Sequence, residues 1–167
     1  ERAALDEGLE CEHQAENALV AIRLLEEGGR AGTPIGGEAI ERGLATVAWP
    51  ARLEVLELAG GRRVIVDAAH NADGARSLAR YLAREHPDRP PLVFAAMKDK
   101  DAAAILEWLL PVVGAVYVTA PPTPRAADPD ALADVVRTLD PQRRVAVEPG
   151  PVLAVERAWN VASTVCV

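Results

Sequence analysis

The fold is decided by residues 62–85, which read RRVIVDAAHNADGARSLARYLARE. The first six residues, Arg62 to Asp67, form a short β-branched run of the kind found in buried strands. In the stretch from Ala72 to Glu85, apolar residues recur at the i, i+3, i+4, i+7 spacing of an amphipathic helix. These positions are Ala75, Leu78, Ala79 and Leu82. A strand followed at once by a helix is the repeating unit of a parallel sheet.

The same alternation continues to the end of the chain. Further strands are predicted at residues 91–96, 115–119, 144–147 and 164–167. The helices between them should begin after the capping residues Asp101 and Asp128 and at Pro151. Successive β-α units predict the α/β class, with a mostly parallel open sheet and helices on both faces.

The first part of the chain has a different pattern. Helical runs are predicted at residues 11–27 and 38–46, and the glycine-rich stretch 28–37 between them should be a flexible connection. We therefore predict two parts: residues 1–48, the helical tail of a preceding domain, and residues 49–167, the α/β domain.

A hairpin should lead into the first core strand. Residues 52–58 alternate polar and apolar side chains, which predicts a strand with one solvated face. Gly60 and Gly61 then supply the turn.

Composition excludes several classes of protein. The chain has 167 residues, half of them hydrophobic, and a formal net charge of −7. It should be neither disordered nor membrane-spanning, and it lacks the basic stripe expected of a nucleic-acid binder. Two cysteines without a CxxC spacing predict a reducing, cytoplasmic location and no structural zinc. Because Glu1 is not a methionine, we expect the true start to lie elsewhere.

Polar residues follow three of the predicted strands, where ligands bind in open parallel sheets. They are Asp67, His70 and Asn71, then Lys98, Asp99, Lys100 and Asp101, and then Thr123 and Arg125. Structural roles compete with ligand contacts here, because Asn71 and Asp101 are also good helix caps. No P-loop, GxGxxG or GxSxG pattern is present. From these residues alone we expect an anion- or nucleotide-binding edge without catalysis of its own.

Five segments of the chain, taken in order, carry recognisable motifs: residues 13–18, 49–54, 67–71, 94–101 and 124–126. They resemble the folylpolyglutamate and dihydrofolate synthases of the Mur ligase superfamily. The sequence DAAHN at residues 67–71 is similar to the family's DGAHN signature, and WPARLE at 49–54 is similar to WPGRLE. The other similar segments are HQAENA at 13–18, FAAMKDKD at 94–101 and PRA at 124–126.

The resemblance implies the C-terminal domain of a monomeric, cytoplasmic ligase. In that family, ATP phosphorylates the carboxylate of a dihydropteroate or folate, and the amine of L-glutamate attacks the acyl phosphate. The P-loop and the Mg²⁺ ligands are expected in a central domain joined in cis, so this chain holds no metal ligand and should be inactive alone.

The resemblance also implies roles for individual residues. On the nucleotide side, Asn17 would face the adenine, Arg52 the phosphates and Asp67 the ribose hydroxyls. His70 would lie near the nucleotide and, with Lys100, belong to the catalytic set. The residues that would approach the glutamate are Lys98, Asp99, Asp101 and Arg125.

Three alanines depart from the family pattern. Ala51 and Ala68 stand where the family has glycine, and Ala72 stands where it has proline. Because alanine disfavours positive φ, nucleotide contact at these turns depends on whether the turns need that geometry. Two other functions remain open: a Mur-type ligase for a different acid and amino acid, and a non-catalytic nucleotide- or anion-binding module.

Overall fold

The computed structural model describes residues 12–32, 34–47 and 50–167, with side chains from Asn17 onward. The chain divides into two units, residues 1–50 and residues 51–167, each considered by itself. No helix within the described ranges is long and apolar enough to cross a membrane.

The first unit contains helices α1 (Glu12–Arg30) and α2 (Gly37–Thr46). The prediction of a flexible connection from residue 28 is wrong, because α1 continues through Gly28 and Gly29 to Arg30. Its last turn is closed by an ion pair between Arg30 and Glu27. Extending an existing helix adds a hydrogen bond for each residue fixed, which offsets the roughly 1 kcal/mol that a glycine costs.

The second unit alternates strands and helices as predicted. Its strands are β1 (Glu54–Leu58), β2 (Arg62–Val66), β3 (Leu92–Phe94), β4 (Val116–Val118), β5 (Val145–Val147) and β6 (Thr164–Cys166). Its helices are α3 (Ala72–Glu85), α4 (Ala102–Leu109), α5 (Pro129–Leu139) and α6 (Pro151–Trp159), with a 3₁₀ turn at Leu110–Val112. The predicted α/β class is confirmed.

The sheet has six strands in the order β1-β2-β6-β3-β4-β5. Strand β1 is antiparallel to β2, and the hairpin turn between them uses Gly60 at φ 78° and Gly61 at φ 72°. The other neighbouring strands are parallel. Strand β6 therefore inserts between β2 and β3, and it separates the loop after β2 from the loop after β3.

Helices cover both faces of the sheet. Helices α3, α4 and α5 pack side by side, as expected when successive right-handed crossovers run in one direction. The crossover from β5 to β6 runs back, which puts α6 on the opposite face. There Ala154 and Ala158 of α6 pack on Val93, Tyr117 and Val165 of three strands.

Candidate functional site

Polar residues converge on the carboxyl edge of the sheet, and they form two groups. Asp67 follows β2, whereas Lys98 follows β3 and Arg125 follows β4. Because β6 lies between β2 and β3, the two groups are about two strand spacings, or roughly 10 Å, apart. The antiparallel strand β1 begins at the same edge and brings the residues before it to the first group.

The segment before β1, residues 51–54, is called the arginine loop here because it carries Arg52. Ala51 has φ 57° and Leu53 has φ 52°, so left-handed residues flank Arg52 on both sides. The Ala51 amide donates to Glu54 Oε2 at 2.9 Å, and the Ala51 carbonyl accepts from the Ala68 amide at 2.8 Å. Ala51 therefore adopts the left-handed geometry although alanine disfavours positive φ, so this turn does need that geometry.

The side chain of Leu53 anchors the arginine loop in the core, with 2% of its surface exposed. The backbone amide of Leu53 donates to Oδ2 of Asp67 at 2.8 Å. Asp67 is half-buried, and its own amide donates to the Val167 carbonyl at 3.0 Å. Burial, with a smaller contribution from the negative charge of Asp67, raises the pKa of the Cys166 thiol to about 12.

The segment after Asp67 differs from the arginine loop. Ala68 is outside the left-handed region, so the glycine-to-alanine change there costs nothing in backbone strain. His70 is exposed, and its Nδ1 lies 3.1 Å from the Ala68 carbonyl oxygen. Because a carbonyl only accepts, a hydrogen bond at this contact requires the proton on Nδ1. Asn71 caps α3, its Oδ1 accepting from the Gly74 amide at 2.8 Å, which confirms its predicted capping role.

The second group is held by backbone pairing between two loops, residues 95–101 after β3 and residues 119–128 after β4, called the paired loops here. Met97 and Ala126 form an antiparallel bridge. The Lys98 amide donates to the Arg125 carbonyl at 2.9 Å, and Lys98 Nζ donates to the Pro124 carbonyl at 2.8 Å. The FAAMKDKD segment at 94–101 and the PRA segment at 124–126 are thus joined by backbone pairing.

Opposite charges alternate across the paired loops. Asp99 lies between two cations, with Lys100 Nζ at 3.2 Å and an Arg125 guanidinium nitrogen at 3.5 Å. The hydrogen bond from Lys100, followed by one from the backbone, lowers the pKa of the Asp99 carboxyl below its usual 3.8. This group therefore offers a half-buried cation, Lys100, and an exposed cation, Arg125, with Asp99 as their shared counterion.

Two further predicted contacts are a helix cap and a residue of the first unit. Asp101 caps α4, with Oδ1 accepting from the Ala104 amide at 3.0 Å. Asn17 is exposed on α1 in the first unit. The side chain of His13 and the whole of Trp49 lie outside the described residues.

Sequence reasoning missed three residues at this edge. Glu54 belongs to the WPARLE motif, but the motif alone assigns it no role. Thr119 follows β4 and Glu148 follows β5, and they are 1% and 3% exposed. Glu148 pairs with Arg157 Nε at 3.3 Å, a contact from α6. The signal in the sequence is position alone, since Thr119 and Glu148 each come directly after an apolar strand.

The donor set matches a nucleotide better than a metal. A guanidinium is permanently charged and binds phosphate through paired N–H donors, and a carboxylate accepts from hydroxyls. In the part of the chain described, no three histidine, cysteine, aspartate or glutamate side chains cluster as metal ligands would. No metal ligand is assigned to this chain.

The chain belongs to the Mur ligase family, and residues 51–165 match the model described as "Mur ligase, glutamate ligase domain". It is 42% identical over 125 residues to a dihydrofolate synthase/folylpolyglutamate synthase of Mycobacterium tuberculosis. That match covers 73% of this chain and 25% of the relative, so the chain spans about a quarter of the length of that relative.

Solved structures agree with this family. A Mycobacterium tuberculosis folylpolyglutamate synthase in complex with ADP and AMPPCP matches with a TM-score of 0.76 and 34% identity, covering 93% of this chain and 37% of that one. A bifunctional folylpolyglutamate synthase/dihydrofolate synthase with Mn, AMPPNP and L-glutamate bound matches with a TM-score of 0.66 and 28% identity, covering 81% and 32%.

Proposed function

We propose that this chain is the C-terminal domain of an ATP-dependent ligase that adds L-glutamate to dihydropteroate or folate. The observation that carries the proposal is the division of the carboxyl edge into two groups, one built around Arg52 and Asp67 and the other around Lys98, Asp99, Lys100 and Arg125. Ligation needs two adjacent subsites of this kind, one for a nucleotide and one for an amino acid.

The first group supplies the nucleotide contacts in this proposal. Arg52 neutralises charge on the phosphates, which is a large part of catalysis in phosphoryl transfer. Asp67 accepts from the ribose hydroxyls, and His70 lies beside it on the same loop. ATP, when bound, supplies the phosphoryl group that activates the acid, and the Mg²⁺ that accompanies it is held by the central domain.

The paired loops supply the amino-acid contacts. L-Glutamate carries two carboxylates at neutral pH, and the cations Lys98, Lys100 and Arg125 are suited to bind them. Asp99 offers a carboxylate for the ammonium group. Closure of this domain over the central one would exclude water, which protects an acyl phosphate from hydrolysis.

The proposal is tested on the full-length protein that contains this chain. Purified enzyme is incubated with ATP, L-glutamate and either dihydropteroate or folate, and the products are identified by mass spectrometry. We expect ADP formation that depends on the acid and a product carrying one added glutamyl residue. Reaction only with another acid and amino acid would indicate a different Mur-type ligase, and nucleotide binding without turnover would indicate a binding module.

Two variants separate the subsites. Arg52→Ala should raise the KM for ATP, and Arg125→Ala should raise the KM for L-glutamate. Arg144→Ala is the matched control, because Arg144 is exposed immediately before β5, at the opposite edge of the sheet. If Arg52→Ala and Arg144→Ala gave the same KM for ATP, the nucleotide assignment would be wrong.

A further inference from the structure

We infer that Glu54 is a positioning residue for Arg52: its carboxylate holds the left-handed turn from which Arg52 projects. The inference rests on the proposed function, because Arg52 is taken to bind the nucleotide phosphates. Glu54 itself is not placed in contact with the nucleotide.

The first step is the conformation of Ala51. At φ 57° it lies in the left-handed region, where the Cβ of any residue except glycine crowds the backbone. Alanine has no side-chain polar atom with which to stabilise this conformation locally. The turn therefore depends on contacts from other residues.

Glu54 supplies one of those contacts. Its Oε2 accepts from the Ala51 amide at 2.9 Å, and this bond spans the arginine loop from its last residue to its first. The Ala51 carbonyl is bonded to the Ala68 amide at 2.8 Å. Both backbone polar groups of Ala51 are thus engaged, and the acceptor for its amide is a side chain that mutation can remove.

The other side of Arg52 is fixed independently. Leu53, at φ 52°, is buried and donates its amide to Asp67 at 2.8 Å. Two carboxylates therefore hold the two left-handed residues that flank Arg52. A guanidinium on a fixed backbone loses less conformational freedom when it binds phosphate, and the affinity for the nucleotide is higher for that reason.

Glu54 also opens strand β1, where it pairs with Val66, so a purely structural role is the alternative. Glu57 provides the matched control on the same strand. It is an exposed carboxylate that bonds to the Arg63 side chain at 2.7 Å, on the neighbouring strand β2 and away from the arginine loop. A variant of Glu57 tests what loss of a β1 carboxylate does by itself.

The experiment uses the full-length enzyme and four variants: Glu54→Ala, Glu54→Gln, the double variant Glu54→Ala with Ala51→Gly, and Glu57→Ala. We expect Glu54→Ala to raise the KM for ATP about tenfold, the effect of roughly 1.4 kcal/mol, with the KM for L-glutamate changed less than about twofold. Glu54→Gln keeps an acceptor oxygen, so its KM for ATP should stay within about threefold of the wild-type value.

The double variant is the sharpest test. Glycine adopts positive φ without the Cβ penalty, so Ala51→Gly should recover most of the ATP affinity that Glu54→Ala loses. Glu57→Ala should match wild type. The inference is overturned if Glu54→Ala raises the KM values for ATP, L-glutamate and the acid equally, if it matches Glu57→Ala, or if Ala51→Gly restores nothing.

Failure of the proposed function gives a different result. A wild-type enzyme that binds ADP without ligating anything leaves the inference testable through the Kd for ADP, which Glu54→Ala should weaken by the same factor of about ten. A wild-type enzyme that binds no adenine nucleotide overturns both.

Discussion

The carboxylate of Asp67 accepts a hydrogen bond from the backbone amide of Leu53 at 2.8 Å, so the residue that follows β2 also fixes the loop that precedes β1. These residues are fourteen positions apart in the chain, and the β1–β2 hairpin brings them together. Under the proposed function Asp67 has two roles: it would accept hydrogen bonds from a ribose, and it bonds to the loop that carries Arg52.

The two roles of Asp67 can be separated by substitution in the full-length enzyme. Asp67→Ala removes the acceptor for the ribose hydroxyls and for the Leu53 amide. It should raise the KM for ATP by at least about tenfold, or roughly 1.4 kcal/mol. Asp67→Asn keeps an acceptor for the Leu53 amide, so its KM for ATP should lie between those of Asp67→Ala and wild type. Asp88→Asn is the control, an exposed aspartate before β3 at the opposite edge. Equal kinetics for Asp67→Ala and wild type would show that the site is assigned wrongly.

The paired loops predict a specific titration. Lys100 is the main reason that the pKa of Asp99 lies below 3.8, so Lys100→Met should raise that pKa towards 3.8. A carboxyl whose pKa is lower in the folded chain than in the unfolded chain stabilises the fold at pH values above its unfolded pKa. This contribution is lost as the pH falls through its folded pKa. The charge pairing around Asp99 should therefore persist at neutral pH and disappear only in strong acid.

Carboxyl-carbon NMR of the Asp99 side chain measures this titration. Lys98→Met is the matched control, because Lys98 Nζ donates to the Pro124 carbonyl and does not contribute to the lowered pKa of Asp99. An Asp99 midpoint that is unchanged by Lys100→Met, or that moves equally in both variants, would contradict the described arrangement.

Arg143 should be important for stability although it lies far from the site. Its guanidinium donates to the Leu110 and Val113 carbonyls at 2.7 Å, to the Gly114 carbonyl at 3.0 Å, and to Asp140. Arg143→Ala leaves those carbonyls without this donor and should lower the free energy of unfolding by about 2–4 kcal/mol. Urea unfolding of the purified chain checks this value.

The neighbouring arginine is the control for that experiment. Arg144 is exposed, and Arg144→Ala should change the free energy of unfolding by less than about 0.5 kcal/mol. A result in which both variants unfold at the same urea concentration would show that the carbonyl contacts of Arg143 contribute nothing.

Cys166 should be inert in the native protein. It is fully buried, and its pKa of about 12 keeps it protonated at neutral pH, while the thiolate is the reactive form. Its thiol ordinarily titrates near 9.0, so between that pH and about 12 the unfolded chain loses a proton that the folded chain keeps. Stability should therefore decline as the pH rises through this range.

A thiol reagent tests the reactivity of Cys166 in a Cys11→Ser variant, which removes the only other cysteine. We expect no labelling at neutral pH until urea unfolds the chain, and then labelling of one thiol. Rapid labelling of the folded variant would contradict the burial of Cys166.

Local patterns predict most of the second unit. Helix α3 is predicted at residues 72–85 and is observed there, because its cap Asn71 and its apolar stripe are both short-range signals. The polar edge also follows from the sequence, since parallel strands end on the same side. The extent of α1 does not follow from the sequence, because a helix tolerates glycines when the turns around them continue.

Two features of the site need the structure. The insertion of β6 between β2 and β3 is a long-range choice, and it separates Asp67 from the paired loops. Ala51 is expected from sequence to resist positive φ, but contacts from Glu54 and Ala68 hold it there. Neither contact is visible in the local sequence, because one partner is a side chain with several possible acceptor roles and the other lies on the far side of the hairpin.

Binding of a nucleotide at the carboxyl edge, beside the arginine loop, should be visible in hydrogen exchange. Exchange of backbone amides is measured by mass spectrometry on the full-length protein with and without saturating ADP. We expect bound ADP to slow exchange in peptides covering residues 51–54 and 67–71, and to cause no change around residues 142–145 at the opposite edge. Protection that is absent from both edge segments while ADP is bound, or that is confined to residues 142–145, would contradict binding at the carboxyl edge.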